Sequence, residues 1–322
     1  MLSLSSGLLP GHGRIFVAGH NGMLGSALTA LLRQNGCEHL LLRTRTELDL
    51  ADGAAVVAFF RAERPDVVFL CAGLTGGIQA NRERPASFLH ENLAIQDAVF
   101  EAARLCGARQ VVFFGSSCTY PRDAGQPIPE DSLGAGPVEP TSAAYAAAKT
   151  AGIIACAAYN QQYPDTRFIA LVPNSLYGPG DHFDPATGHV LAGLLARFHA
   201  ARRDRADSVT LWGTGRPRRE FLHVADAARA ALFAVSHVDR LENRHYNIGT
   251  GVDLSIAELA ERVAQVVGFS GEIRWDARHP DGAARKLLDS SRFRALGWAP
   301  EVALEAGLMQ TYEWYVNRLA ES

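Results

Sequence analysis

Residues Arg14–Gln34 read RIFVAGHNGMLGSALTALLRQ, and this stretch decides the fold. A short β-branched and aromatic run, Arg14 to Ala18, leads directly into Gly19-His20-Asn21-Gly22-Met23-Leu24-Gly25. From Gly25 to Asn35 apolar residues recur three and four apart, so the chain passes from strand through a tight turn into helix. Glycines spaced G-x-x-G-x-x-G allow close backbone approach. The helix behind them offers unpaired N–H groups and a partial positive charge to a pyrophosphate. Taken alone, the same letters also describe an ordinary glycine turn; placement at a first strand-to-helix junction is what gives them weight.

Outward from this unit the pattern repeats. His39–Leu42, Val67–Leu70, Gln110–Phe114 and Arg167–Val172 are nearly continuous hydrophobic runs, as strands covered on both faces should be. Ala54–Glu63, Pro85–Cys106 and Ala143–Gln162 have helical spacing and supply the crossovers that parallel strands need. The expected architecture is α/β, a doubly wound parallel sheet. After Val172 the texture changes to PNSLYGPGDHFDPATGH, a long connection suited to function and to a domain junction. Beyond it, helices are expected at His189–Arg203, Val224–Val235, Ser255–Val267 and Leu304–Arg318, and short strands at Val209–Trp212, His245–Ile248 and Glu272–Trp275. This gives a smaller mixed α/β unit. The division expected is residues 1–172, joined by 221–252, for a dinucleotide, and residues 173–322, mainly 173–220 and 253–322, for a substrate.

Composition narrows the function. In 322 residues, 48% are hydrophobic and 20% charged, with 31 basic against 34 acidic side chains, which argues against disorder and against a nucleic-acid surface. The five cysteines, Cys37, Cys71, Cys106, Cys118 and Cys156, never approach CxxC spacing, so structural zinc is not expected and a reducing, cytoplasmic setting is. Met1–Gly13 lacks a basic leader, and runs such as Ala54–Phe60 are too short to span a bilayer, so neither export nor a membrane anchor is expected. The stretch Arg202–Asp207 reads as the solvated end of a helix.

Three further features carry chemistry. At the end of the second strand, where an NAD-binding fold has an acidic ribose acceptor, the chain reads Leu42-Arg43-Thr44-Arg45. Guanidinium forks there suit a ribose 2′-phosphate and favour NADP, although arginines at a strand end are common. Tyr145 and Lys149 stand four apart, on one face of a helix, where the ammonium is expected to lower the phenol pKa and to hold the nicotinamide ribose. Ser116, at the end of the fourth strand, falls in the crevice where such sheets bind ligands.

With these in place, the chain resembles the extended short-chain dehydrogenases/reductases, a Rossmann-fold family, and among them the family of GDP-L-fucose synthases. The resemblance rests on GHNGMLGSA, LRTRTELDL, FGSSCTYP, YAAAKTAGI, LYGPGDHF, GHVLAGLLARFH, WGTGRPRREFLHVAD, NIGTGVD and PDGAARKLLD, from about Arg14 to Trp314. It implies an NADPH-dependent epimerase/reductase with Ser116, Tyr145 and Lys149 as the reduction triad and Cys118 with His189 as the epimerisation pair. Gly19, Asn21, Gly22, Met23, Gly25, Arg43, Arg45, Asp49 and Leu50 would contact NADP. Asn174, Ser175, Arg197, Trp212, Arg219 and Lys286 would contact a GDP-linked 4-keto-6-deoxy sugar. The resemblance also implies a homodimer through Pro85–Cys106 and Ala143–Gln162.

The chemistry is coherent by itself. A C4 ketone acidifies the hydrogens at C3 and C5, so one base and one acid beside the ring can invert either centre through an enolate, with Ser116 and Tyr145 as donors to its oxygen. Without the resemblance, Cys118 reads equally as a small core residue and His189 as a helix cap. Two departures stand out: Asn21 where the family commonly has Arg, and Asn174-Ser175 where it commonly has Thr-Asn. The second leaves room for a related substrate such as a GDP-4-keto-heptose. A dehydratase would carry acidic residues where this chain has Ser117 and Cys118, and a non-catalytic NADP sensor would not need the triad.

Overall fold

The computed structural model describes residues 13–185, 188–279 and 281–320. The leader reading of Met1–Gly13 therefore lies almost wholly outside the described residues, as do Ala186 and Thr187 of the long connection. In chain order the elements begin β1 (Ile15–Ala18), α1 (Met23–Gln34), β2 (Leu40–Leu41), α2 (Gly53–Glu63), β3 (Val67–Leu70), α3 (Ile78–Glu83), α4 (Pro85–Cys106) and β4 (Gln110–Phe114). They continue with α5 (Ala143–Gln162), β5 (Arg167–Pro173), β6 (Ser175–Tyr177), α6 (Val190–Arg203), β7 (Ser208–Trp212), β8 (Arg218–His223) and α7 (Val224–Ser236). The last are β9 (Tyr246–Ile248), β10 (Asp253–Ser255), α8 (Ile256–Val267), β11 (Glu272–Asp276), β12 (Arg285–Lys286), α9 (Ser291–Ala295) and α10 (Leu304–Ala320).

The main sheet is parallel, six strands in the order β2-β1-β3-β4-β5-β9. The order reverses between β1 and β3, which opens a crevice at their carboxyl ends. Alternation along each strand explains the two-sided core. Phe16 and Ala18 pack with Val56, Phe60, Phe100 and Phe113 under α2, α4 and α5, whereas Ile15 and Val17 pack with Leu28, Leu32, Ala231 and Ile248 under α1 and α7. Capping follows local chemistry: Asp52 accepts from Ala54 N and Ala55 N to open α2, and Ser255 with Glu258 forms a capping box on α8.

A smaller four-stranded sheet centres on β8, which pairs antiparallel with β10 and parallel with β12 and β6. A separate parallel pair joins β7 and β11. A further core gathers Leu195, Phe198, Leu211, Phe221, Leu259, Val263 and Leu308.

The sequence reading located the six strands of the main sheet and the long helices. β6, β8, β10, β12, α3 and α9 had not been expected. The basic residues Arg216–Arg219 lead into β8, where Arg218 bonds Asp253. α1 begins at Met23, immediately after the turn. His189 is not the first residue of α6 but its N-cap, in extended conformation.

Candidate functional site

Gly19, at φ +86°, follows β1, and a Cβ there would lie 2.7 Å from Ala72 N. A Cβ on Gly25 would lie 2.1 Å from Gly19 O, so the turn closes on the first turn of α1 only because both lack side chains. Gly22 is different: its nearest neighbour would be 3.4 Å from a Cβ, and its φ is −78°. Nothing within the protein requires a glycine there; the bare backbone leaves space outside, at the capless start of α1, whose first turn carries no acidic residue. That surface fits a pyrophosphate. Asn21 and Gly22 are exposed.

At the ribose end the two arginines separate. Arg43 donates to Glu63 Oε1 at 2.9 Å and to Leu42 O at 2.9 Å, and its guanidinium lies 5.2 Å from the Phe59 ring centroid. Arg45 is 75% exposed and reaches Glu91 only at 3.6 Å. Arg45 is thus the freer of the two to meet a phosphate. Asp49 is exposed and accepts from Ala51 N, while the Leu50 side chain is spent in the core.

Deeper in the crevice, Ser116 stands between Tyr145 and Cys118: it hydrogen-bonds the phenol and the thiol, and accepts from Cys118 N at 3.2 Å. Lys149, buried, donates to Phe114 O at 2.9 Å and sits 5.9 Å from the Tyr145 ring centroid. Burial brings its ammonium down to about 8. The expected lowering of the phenol does not occur. Burial, and next the charge of Cys118, hold Tyr145 above the ordinary phenol range, against the Ser116 hydrogen bond. Lys149 is anchored to the Phe114 carbonyl, and its charge is not among the main influences on the phenol.

Cys118 behaves the other way. Burial raises a thiol, but the Lys286 ammonium and hydrogen bonds from Ser116 and Ser142 outweigh it and leave Cys118 below the usual thiol range. Lys286 Nζ lies 3.9 Å from Cys118 Sγ. His189 faces the same pocket: its Nδ1 lies 3.1 Å from Asp181 Oδ1, that hydrogen bond raises its pKa against burial, and the charge of Cys118 adds to the effect. The charge of Cys118 thus reaches His189, so the two lie within electrostatic range of one another. Asp181 and Ser142 were missed by the sequence reading. No local pattern marks a carboxylate eight positions before its histidine across a loop.

Arg219 and Lys286 are register partners in the parallel β8–β12 pair and point to one side. Burial lowers Arg219, while the charge of Cys118 opposes that. Further out, Arg197 stands 4.9 Å over Trp212, which is 52% exposed and stacks on His279 at 4.6 Å. Asn174 needs correction. It does not present its amide to a ligand: Nδ2 donates to Glu220 Oε2 at 2.7 Å and to Lys286 O at 3.1 Å, and Oδ1 accepts from Ser117 Oγ at 3.2 Å. Its neighbour Ser175 stays half-buried on β6. Among the described residues no cluster of His, Cys, Asp or Glu is arranged to hold a metal, and no helix is long and apolar enough to cross a membrane.

The arrangement offers a thiol and an imidazole as base and acid, two hydroxyls for a developing oxyanion, and a cradle for a dinucleotide. Comparison with known proteins agrees. The profile of the NAD dependent epimerase/dehydratase family matches residues 15–249. A probable GDP-L-fucose synthase of Oryza sativa subsp. japonica is 49% identical over 95% of this chain and 93% of its own length. The GDP-L-fucose synthase of Escherichia coli (strain K12) is 47% identical over 94% and 97%. Among solved structures, a GDP-6-OMe-4-keto-L-xylo-heptose reductase from C. jejuni superposes with a TM-score of 0.92 at 38% identity, covering 97% of this chain and all of that one. A GDP-mannoheptose C4 reductase from Campylobacter jejuni with NADP bound gives 0.86 at 40% identity, covering 95% and 99%. The chain belongs to the NAD dependent epimerase/dehydratase family, in the branch that holds the GDP-L-fucose synthases.

Proposed function

We propose that this protein is an NADPH-dependent epimerase/reductase that converts GDP-4-keto-6-deoxy-mannose to GDP-L-fucose. It epimerises C3 and C5, then reduces the C4 ketone. The observation that carries the reading is a cation-assisted thiol, Cys118, and a carboxylate-held imidazole, His189, beside the hydroxyls of Ser116 and Tyr145.

Cys118 as thiolate removes the proton next to the ketone, and His189, kept protonated by Asp181, returns one to the opposite face. Ser116 and Tyr145 donate to the enolate oxygen, so one pair of hydroxyls serves inversion and reduction. A phenol kept above its ordinary pKa is a protonated phenol, which is the form needed to deliver a proton to the C4 oxygen. Gly19–Gly25, Arg45 and Lys149 would hold the dinucleotide, the glycine turn at its pyrophosphate, Arg45 at its 2′-phosphate and Lys149 at its nicotinamide ribose. When bound, the reduced nicotinamide supplies the hydride. Arg219 and Lys286 meet the diphosphate, with Arg197 and Trp212 further out. In this reading residues 1–172 with 221–252 serve the cofactor, and 173–220 with 253–322 serve the sugar nucleotide.

Incubation with GDP-4-keto-6-deoxy-mannose and NADPH, with the product read by NMR, is expected to give GDP-L-fucose. Recovery of a reduced but uninverted sugar would make the protein a plain C4 reductase. A second reading, the same chemistry on a GDP-4-keto-heptose, is favoured by the two heptose reductases at 38% and 40% identity. Faster turnover of that sugar in the same assay would select it.

We place the enzyme in a reducing cytoplasm, in keeping with five free cysteines, and as a homodimer. The second point is supported by a groove between α4 and α5, lined by His90, Leu93, Ala94 and Ala155, with Ile154 58% and Leu105 50% exposed nearby. Light scattering giving a monomer mass at micromolar concentration would reject it.

A further inference from the structure

The groups that hold Lys286 and Cys118 at one spacing lie outside the pocket. Glu220 is fully buried on β8 with no cationic partner among the described residues. Its carboxylate takes Asn174 Nδ2 at 2.7 Å, Gly251 N at 2.7 Å and Leu288 N at 3.1 Å. Asn174 then uses its second amide hydrogen on Lys286 O and its oxygen on Ser117 Oγ. One buried pair thus grips both sides of a single contact: the backbone of Lys286 and Leu288 on one side, and the residue next to Cys118 on the other. The contact it spans joins positions 168 apart in sequence.

We propose that Lys286 is the counter-cation that keeps Cys118 as a thiolate in the resting enzyme, and that the Glu220–Asn174 pair is the positioning device that fixes their spacing. The proposal rests on the reading of Cys118 as the base. The charged or titratable groups that act on the sulfur among the described residues are Lys286 from β12, Arg219 from β8, His189 from the cap of α6 and Tyr145 from α5. Lys286 alone among the cations is in hydrogen-bonding contact with it. Arg219 gives one N–H to Arg218 O, and His189 is turned to Asp181. An ammonium at that distance is the strongest single influence favouring the ionised sulfur.

The test needs neither substrate nor cofactor, so its failure is distinct from failure of the proposed function. The full-length protein is alkylated with iodoacetamide across pH 6 to 10, and the Cys118 peptide is quantified by mass spectrometry, with Cys37 as a thiol lacking a cation. The wild-type Cys118 midpoint should fall below the ordinary value of about 8.5. Lys286→Met should raise it by about 1 to 2 pH units, the range for loss of a close opposite charge, and Lys286→Arg should restore most of the shift. Asn174→Ala leaves Lys286 in place but releases its backbone and Ser117, and should produce a smaller upward shift. An unchanged midpoint in Lys286→Met overturns the counter-cation role and leaves Lys286 as a substrate contact only. A shift in Lys286→Met with none in Asn174→Ala overturns the positioning role.

Discussion

Tyr145 and Cys118 are half-buried side chains that share Ser116, yet the protein moves their protons in opposite directions. On the α5 side the nearest ammonium, Lys149, is tied to Phe114 O and brought down by burial to about 8, and only the Ser116 hydrogen bond opposes desolvation of the phenol. On the Cys118 side desolvation is again the largest single influence, but Lys286 lies 3.9 Å away and two hydroxyls donate to the sulfur. Burial alone therefore does not decide whether a pocket group is an acid or a base. What decides is whether a charge of the right sign reaches it, and a single pocket can hold both outcomes a few ångströms apart.

The comparison breaks most visibly if the two residues are exchanged in role. Cys118→Ser should cut deuterium incorporation at C3 and C5 of the keto sugar by on the order of 10²-fold or more, since a hydroxyl is a far poorer base. Tyr145→Phe should cut reduction by a comparable 10²-fold or so while leaving measurable exchange. NMR of substrate in deuterated water without NADPH isolates the first effect, and NADPH consumption reads the second. Equal loss of both steps in both variants would mean that the two sides act as one unit.

A smaller effect concerns pH. In the proposed mechanism His189 acts as acid and must be protonated; its hydrogen bond to Asp181 raises its pKa, so activity should persist to higher pH than an isolated imidazole would allow. Asp181→Asn removes that support. The alkaline limb of the kcat/KM profile should move down by about one unit, with the acidic limb, set by Cys118, nearly unmoved. Movement of the acidic limb instead would assign the carboxylate to the thiol.

The smallest expected effect tests whether the cofactor side is as local as its sequence implies. Arg45→Ala should lower the preference for NADPH over NADH roughly tenfold, the worth of one charge-assisted hydrogen bond. Arg43→Ala should change the preference less and stability more, because that side chain already bridges Glu63 and covers Phe59. Kinetics with both cofactors and a thermal melt of each variant distinguish them.

How much could be read in advance follows the same division. The five long hydrophobic runs, the helices between them, Gly19-x-x-Gly22-x-x-Gly25 and Tyr145-x-x-x-Lys149 are each contained within one stretch of chain. Their periods, two for strands and 3.6 for helices, are local properties that sequence displays directly. β6, β10 and β12, two or three residues each, have no hydrophobic run to display; they exist because β8 offers them an edge.

By itself, then, the sequence determined a parallel sheet wound on both sides, a dinucleotide turn at its first junction, and which hydroxyls and thiol stand at the ends of its strands. Tertiary structure alone decided that Lys286 meets Cys118 across 168 positions, that Asp181 turns to His189, that Asn174 looks inward to Glu220 rather than out to a ligand, and that Tyr145 keeps its proton. These are sums over distance and desolvation. Neighbouring letters carry no record of them, because the charges that set a pKa come from whichever strands the fold lays side by side.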